Sequence, residues 1–444
     1  MRTAEQVRQE ILSLVNEFYQ ISHGAESFQP GISRVHYAGR VYDQEEMMAI
    51  ADSVLDFWLT LGDKDREFVK QFTEFHRVKY GLVTNSGSSA NLLAISSLCS
   101  KQIDRHLNPG DEVITTASTF PTTLNPILQN LLVPVFVDIE GDTYNIDANK
   151  IEQAITSKTR AIVFAHTLGN PADMDAIVGI ARKHDLFIVE DTCDGLDSKY
   201  DGKLCGTFGD VGTFSFYAAH HITMGEGGAV ITNNHSLYRQ MLSIRDWGRS
   251  CFCQTGEKHP KGACGKRFEQ SYLTLPEGYD HKYVYSNIGY NLKPLDIQCA
   301  MGIEQLKKLP TFTNIRKRNF QLLFQAMKRY EDVFILPRSL ARAEPSWFAF
   351  PLTVRENAGF SRKEIVVHLE AKNIETRMLF GGNILKHPGY QGISYRIACE
   401  LKNTDTVLEN TFFLGVYPGL CEQRIQYIIN VIDEFIAGRQ RGGA

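Results

Sequence analysis

Short apolar runs alternating with helical segments constrain this chain more than any other feature. Seven runs recur, over residues 81–85, 112–116, 133–137, 161–165, 186–189, 213–217 and 228–232. Most are apolar at consecutive positions, the mark of strands buried on both faces. Between several of them lie stretches of helical period, such as 90–99, 122–131 and 173–184. The pattern predicts an α/β fold: a mainly parallel seven-stranded sheet with helices on both faces. Ligands of such sheets sit at the carboxyl ends of the strands.

The rest of the chain falls around that unit. Residues 1–60 read as a helical arm, with Val7, Ile11, Leu14, Val15 and Phe18 on one face. A helix over 45–61 reads on through Asp63, as a cap, into 66–79. Residues 61–310 form the large domain and 311–444 a smaller α+β domain. A helix over 296–309 precedes a separate long helix beyond Thr311. Residues 245–286 break the pattern. They are rich in Gly, Cys, Lys and His without apolar period, and read as a functional loop.

Composition excludes several function classes. At 444 residues the chain can bury a large core. Its 47 basic and 51 acidic residues give a net charge of −4, no footprint for nucleic acid or an anionic membrane. No apolar run approaches the roughly 18 residues of a membrane span. The charged start, Met1 to Gln9, shows no signal peptide. Nine cysteines, an odd count without a secretory signal, argue against a disulfide framework. A cytoplasmic location is expected.

Three motifs carry chemistry. Asn85-Ser86-Gly87-Ser88-Ser89-Ala90-Asn91 joins a strand to a helix. Free N–H groups at that helix start suit a phosphate, and an ordinary serine-capped turn reads equally well. Asp191, in Glu190-Asp191-Thr192-Cys193-Asp194, ends a buried strand, where a carboxylate needs a partner. A protonated pyridine nitrogen or a helix start would supply one. Ser215-Phe216-Tyr217-Ala218-Ala219-His220-His221 precedes a glycine turn, and Ser215 is a candidate phosphate ligand.

Together, the order and spacing of these motifs resemble the sugar aminotransferase family of pyridoxal-phosphate enzymes, the DegT/DnrJ/EryC/StrS type of fold type I. The resemblance runs from Tyr37 to the terminal helix. Thr119-Phe120, Gly169-Asn170-Pro171 and Gly289-Tyr290-Asn291-Leu292-Lys293 extend it. It implies that Gly87, Ser88 and Ser215 hold the cofactor phosphate, and that Asp191 pairs with the ring nitrogen. Phe120 would stack on the ring, Asp194 would meet the ring 3-oxygen, and Asn291 would reach the phosphate of a second subunit in a homodimer.

One departure decides the chemistry. The family pattern Ser-Phe-x-x-x-Lys ends in the lysine that tethers the cofactor, and here that position is His220. An imidazole forms no stable imine, so lysine-based transamination is closed. A base of ordinary pKa near 6.5 stands there instead, suited to proton abstraction. The substitution resembles the 3-dehydratases of 4-keto-6-deoxy nucleotide sugars, with pyridoxamine phosphate (PMP) as the working form of the cofactor. An inactive relative of those enzymes is the bland alternative.

Cysteines separate versions of that activity. Cys251-x-Cys253 and Cys264 lie in the unpatterned loop, and Cys193 follows Asp191 by two. Four thiolates suit an iron–sulfur cluster or zinc. The arrangement resembles the [2Fe–2S] site of the iron–sulfur 3-dehydratase of dideoxysugar biosynthesis, with an unusually long gap before Cys264. Cys99, Cys205, Cys299, Cys399 and Cys421 read as structural.

The resemblance therefore implies C3 deoxygenation of an NDP-4-keto-6-deoxyhexose, CDP-4-keto-6-deoxyglucose foremost, fed by an NAD(P)H-dependent flavin/iron–sulfur reductase. His220 would be the base and Tyr217 would serve the reductive half. Arg34, Arg377 and His387 are candidates for the nucleotide diphosphate. A redox-neutral, glutamate-recharged dehydratase without a cluster is the alternative. A non-catalytic sugar-nucleotide binding protein is the reading from another class.

Overall fold

The computed structural model describes residues 1–23, 27–251, 267–269, 271–272 and 274–442. The large sheet is built from β1 (Tyr80–Thr84), β2 (Glu112–Thr116), β3 (Val133–Val137), β4 (Thr159–Ala165), β5 (Phe187–Asp191), β8 (Val211–Ser215) and β9 (Gly228–Thr232). Two-residue strands β6 (Lys199–Tyr200) and β7 (Lys203–Leu204) fall between β5 and β8, and pair with β11 (Ala343–Glu344). The main order is β1-β9-β8-β5-β4-β2-β3-β13, and β9 alone runs against its neighbours. All seven expected strands are present. The eighth, β13 (Arg396–Ile397), is too short for a sequence signal and comes from the C-terminal part.

Alternation along the strands loads both faces. Val113, Val163 and Val189 join one core with Leu93, Leu124 and Ile127. Their neighbours Ile114, Ile162 and Ile188 join another with Met174, Ile177 and Ala181. The helices in order are α1 (Ala4–Ser22), α2 (Gln44–Leu55), α3 (Asp63–His76), α4 (Gly87–Leu98), α5 (Pro121–Gln129), α6 (Ala148–Ile151), α7 (Met174–His184), α8 (His235–Arg245), α9 (Asp296–Met327), α10 (Arg362–Ala371), α11 (Lys402–Asn410) and α12 (Glu422–Gly442). The C-terminal part has its own sheet of β10 (Phe334–Ile335), β12 (Ala349–Val354) and β14 (Thr411–Gly415). Among the described residues no helix is long and apolar enough to cross a membrane.

Two expectations are corrected. Asp63 is not the cap of α3 but its first residue. The cap comes from far along the chain: Asp296 accepts hydrogen bonds from the N–H groups of Gly62 (2.9 Å), Lys64 (3.2 Å) and Asp65 (2.8 Å). The helices expected over 296–309 and beyond 311 are one helix of 32 residues, α9, continuous through Pro310. Its buried side runs Leu306, Leu309, Thr313, Arg316, Phe320, Leu323 and Met327. Burial of that stripe outweighs the one backbone hydrogen bond a proline removes.

Candidate active site

Three strand ends and one helix start converge on a cavity of about 310 Å³. β1 leads into α4, whose cap Ser86 accepts the Ser89 N–H at 3.0 Å. Gly87, next along, has no room for a side chain. A Cβ there would lie 2.4 Å from the Ser215 Cβ and 3.0 Å from the Cys193 Sγ. Glycine thus lets the start of α4 close on the ends of β5 and β8. The result is a cradle of N–H groups and hydroxyls at the positive end of a helix, suited to a phosphate.

Asp191 ends β5 in the cavity wall and is 5% exposed. Its Oδ2 accepts from Asn91 Nδ2 (2.8 Å) and Thr123 Oγ1 (2.6 Å), and its Oδ1 accepts from the Cys193 N–H (3.1 Å). None of these partners carries a charge. A buried carboxylate held this way has the chemistry to take a protonated ring nitrogen.

Asp194 lies beside it, and one of its oxygens, Oδ2, is buried without a hydrogen bond. Burial and the charge of Asp191 push its pKa up to about 7. The Leu168 N–H, on a residue turned left-handed at φ 53°, opposes that shift. An orphaned carboxyl oxygen that readily bears a proton suits a ring hydroxyl or oxyanion.

His220 follows β8 and lines the same cavity. Its Nδ1 lies 2.6 Å from the Cys193 carbonyl. A carbonyl only accepts, so Nδ1 carries the hydrogen and Nε2 is the basic nitrogen. Burial lowers its pKa to about 4, against the raising effects of that carbonyl and of Asp191. The ring sits 5.5 Å from Phe348 and 6.4 Å from the half-exposed Tyr217.

The cavity thus gathers Gly87, Ser88, Phe120, Asp191, Cys193, Asp194, Ser215, Tyr217 and His220. No lysine is among its lining residues. Tyr37, Phe348, Arg377 and Phe380 also line it. Arg377 faces the Tyr37 ring at 4.2 Å and lies 3.9 Å from Glu375, which also pairs with Arg34 at 2.7 Å, and His387 is bonded to the Gly381 carbonyl at 2.7 Å. Sequence reasoning included Asn91 in the first motif without giving it a role, and missed Thr123. The signal for Asn91 was its place one helical turn after Gly87, on the side facing the sheet.

Two expected groups are not assembled in the cavity. Asn291 is exposed, and its backbone bridges Asp246. Cys251 lines a different cavity with Asp65, Tyr238 and Arg245, sharing no residue with that of Cys193. Cys253 and Cys264 lie outside the described residues. Among the described residues no three His, Cys, Asp or Glu side chains group to hold a metal ion. The described cysteines therefore do not by themselves fit a cluster, whereas the cavity fits a pyridoxal-type cofactor at ring nitrogen, ring oxygen and phosphate.

The DegT/DnrJ/EryC1/StrS aminotransferase family matches residues 40–433. The chain belongs to this family. It is 46% identical over 434 residues to the lipopolysaccharide biosynthesis protein RfbH of Salmonella typhimurium, covering 98% of this chain and 99% of that one. It is also 46% identical to the dTDP-4-dehydro-2,6-dideoxy-D-glucose 3-dehydratase of Saccharopolyspora spinosa, covering 96% and 92%. Among solved structures, the E. coli GDP-4-keto-6-deoxy-D-mannose-3-dehydratase with bound hydrated PLP superposes with a TM-score of 0.80 at 31% identity, covering 90% of this chain and all of that one. The expected fold type is thus met. Membership brings a family named for aminotransferases together with a cavity that lacks their lysine.

Asp194 gives this site a pH signature. Its folded pKa of about 7 lies above the unfolded value of 3.8. Its stabilising contribution is therefore full below pH 4 and is lost as pH rises through 7. Asp194→Asn removes that loss, on the order of 4 kcal/mol at full ionisation. Melting of the cofactor-free chain should show the variant gaining on the parent between pH 5 and pH 8. A gap independent of pH would sink the assignment.

Proposed function

We propose that this chain is a PMP-dependent 3-dehydratase of nucleotide-activated 4-keto-6-deoxyhexoses. The observation that carries the reading is His220 at the family's lysine position. It sits in a cavity without lysine, its Nδ1 tied to a carbonyl and Nε2 left as the base. When bound, PMP supplies a primary amine for the sugar ketone and a ring that delocalises electrons.

The residues divide the remaining tasks. The start of α4, with Gly87, Ser88 and Ser215, holds the phosphate. Asp191 keeps the ring nitrogen protonated, and Asp194 meets the ring oxygen. Phe120 covers the ring. With the cofactor and sugar bound, His220 Nε2 would be the base that accepts the proton the dehydration releases. Tyr217 lines the same cavity, its ring 6.4 Å from that of His220. Asn291 serves the cofactor phosphate of a second subunit in a homodimer. Arg377 at the cavity wall is the described arginine suited to the substrate diphosphate. The S. typhimurium relative's name supports a role in lipopolysaccharide biosynthesis.

The finer reading is net C3 deoxygenation of the CDP-linked sugar, with a [2Fe–2S] cluster on Cys193, Cys251, Cys253 and Cys264 and a separate NAD(P)H-dependent reductase. It rests on the cysteine pattern, and no step here is routed through a cluster. The second reading is a redox-neutral dehydratase recharged by glutamate, supported by the likeness to the GDP-4-keto-6-deoxy-D-mannose-3-dehydratase.

One experiment tests both levels. The anaerobically purified chain is analysed for iron and acid-labile sulfide, then given PMP and an NDP-4-keto-6-deoxyhexose. Dehydration of the sugar is expected on either reading, and its absence overturns the proposal. About two iron and two sulfide per chain, lost in Cys251→Ser, is the outcome expected of the cluster reading. Neither metal nor sulfide after reconstitution, with turnover sustained by glutamate, gives the redox-neutral enzyme.

A further inference from the structure

Arg316 carries a cation into the middle of the buried α9 stripe. Its neighbours at alternating spacings of three and four are Leu309, Thr313, Phe320 and Leu323, and an apolar side chain would continue that pattern. Instead a guanidinium lies there at 1% exposure. Among the described residues it has no carboxylate at ion-pair distance. Its two terminal nitrogens donate to backbone carbonyls, one to Phe348 at 3.2 Å and the other to His220 at 3.3 Å. Among the described residues its Nε–H has no partner. Isolating a cation in this way is costly, and stability alone would favour a hydrophobic residue.

The two carbonyls belong to the two segments that frame the proposed base. One is the turn after β8 that carries His220 and His221. The other is the run from Ser346 to Phe348 that enters β12. The Phe348 ring lies against both imidazoles, at 5.5 Å and 6.4 Å. His221 adds a bond from its Nε2 to the Ser346 carbonyl. Arg316 is the one side chain of α9 that donates to both segments.

We propose that Arg316 is a positioning residue for His220, tying the His220 carbonyl to that of Phe348 so that the imidazole stays seated with Nε2 as its basic nitrogen. This rests on the reading of His220 as the base. The groups facing His220 are Asp191, Cys193 and Asp194 from the end of β5, Tyr217 and His221 from its own turn, and Arg316 from α9. Phe348 brings no charge, and Arg377 stands at the cavity wall. Burial and Arg316 lower the His220 pKa, while the Cys193 carbonyl and Asp191 raise it. Arg316 itself is lowered to about 9 by burial, with Asp194 opposing.

The test is the imidazole nitrogen NMR spectrum of the full chain without cofactor at one fixed alkaline pH, with His220 assigned by comparison with His220→Asn. The parent should show a single neutral tautomer with the hydrogen on Nδ1, as the contact with the Cys193 carbonyl requires. R316Q should mix the two tautomers, because the tie between the two carbonyls is gone. R316K should broaden the His220 signal, because one ammonium cannot hold both carbonyls in the same fork. With cofactor and substrate, both variants should lose roughly 10- to 100-fold in kcat with KM little changed. A parental tautomer in folded R316Q overturns the proposal. If R316Q does not fold, a sharp, parental His220 signal and parental kcat in R316K overturn it. The spectrum uses neither cofactor nor substrate. A parent chain that fails to dehydrate the sugar therefore sinks the functional reading while the spectrum still decides the tie.

Discussion

His220→Asn should lower the dehydration rate by a factor of about 10²–10⁴, the range a positioned base contributes, while leaving PMP affinity within a few-fold. An asparagine amide can replace the donor that His220 directs to the Cys193 carbonyl, so the turn after β8 has no reason to rearrange. What it cannot do is accept a proton where Nε2 stands. Affinity should hold because the groups that fit the cofactor come from elsewhere: the start of α4, Asp191 and Asp194. The two quantities separate cleanly, affinity by titration of PMP into the chain and rate by single-turnover product analysis. A variant that binds PMP normally and dehydrates at the parental rate would remove His220 as the base. His220→Lys is the complementary test. It restores the tethering amine the family otherwise carries, so the chain should acquire a covalently held yellow cofactor and shift toward amino transfer. Deoxygenation or dehydration at the parental rate in that variant would also count against the assignment.

Why these residues meet was partly legible in the chain. Strands apolar on both faces fixed a parallel sheet, and chemistry-bearing residues just after strands had to share its carboxyl edge. That logic brought Gly87, Asp191, Ser215 and His220 together before any coordinates. It did not reach Asn91, Thr123 or Arg316, which act from helices. A polar residue on a helix has no period of its own to announce that it points inward. Asp296 was illegible as the cap of α3 for a related reason: the helix start it serves lies more than two hundred residues earlier. Pro310 misled in the opposite sense, since a local break signal was outweighed by a long buried stripe. Asn291 is exposed in one chain, and its proposed role belongs to an assembly of two.

Asp191→Asn should weaken PMP binding by about 10²–10³-fold, as expected when one partner of a buried charge pair is removed. The surroundings make the substitution worse than a simple loss of charge. Thr213 Oγ1 donates to Asn91 Oδ1 at 2.5 Å, which fixes the Asn91 amide with its NH₂ toward Asp191. The Thr123 hydroxyl and the Cys193 N–H arrive as two more donors. An asparagine at 191 presents an NH₂ of its own, so in either orientation a donor meets a donor. With the NH₂ on the Oδ1 side the Cys193 N–H loses its acceptor, and on the Oδ2 side Asn91 and Thr123 lose theirs. Reactivity should fall with affinity, because an unprotonated ring nitrogen draws electrons less strongly. Asn91→Ala is the control that isolates the charge. It removes one donor and leaves the carboxylate, and should cost about 10-fold in affinity, the worth of one hydrogen bond to a charged group. If Asp191→Asn cost no more than Asn91→Ala, the carboxylate would be only an acceptor in a polar network, and its pairing with the cofactor ring would have to be abandoned.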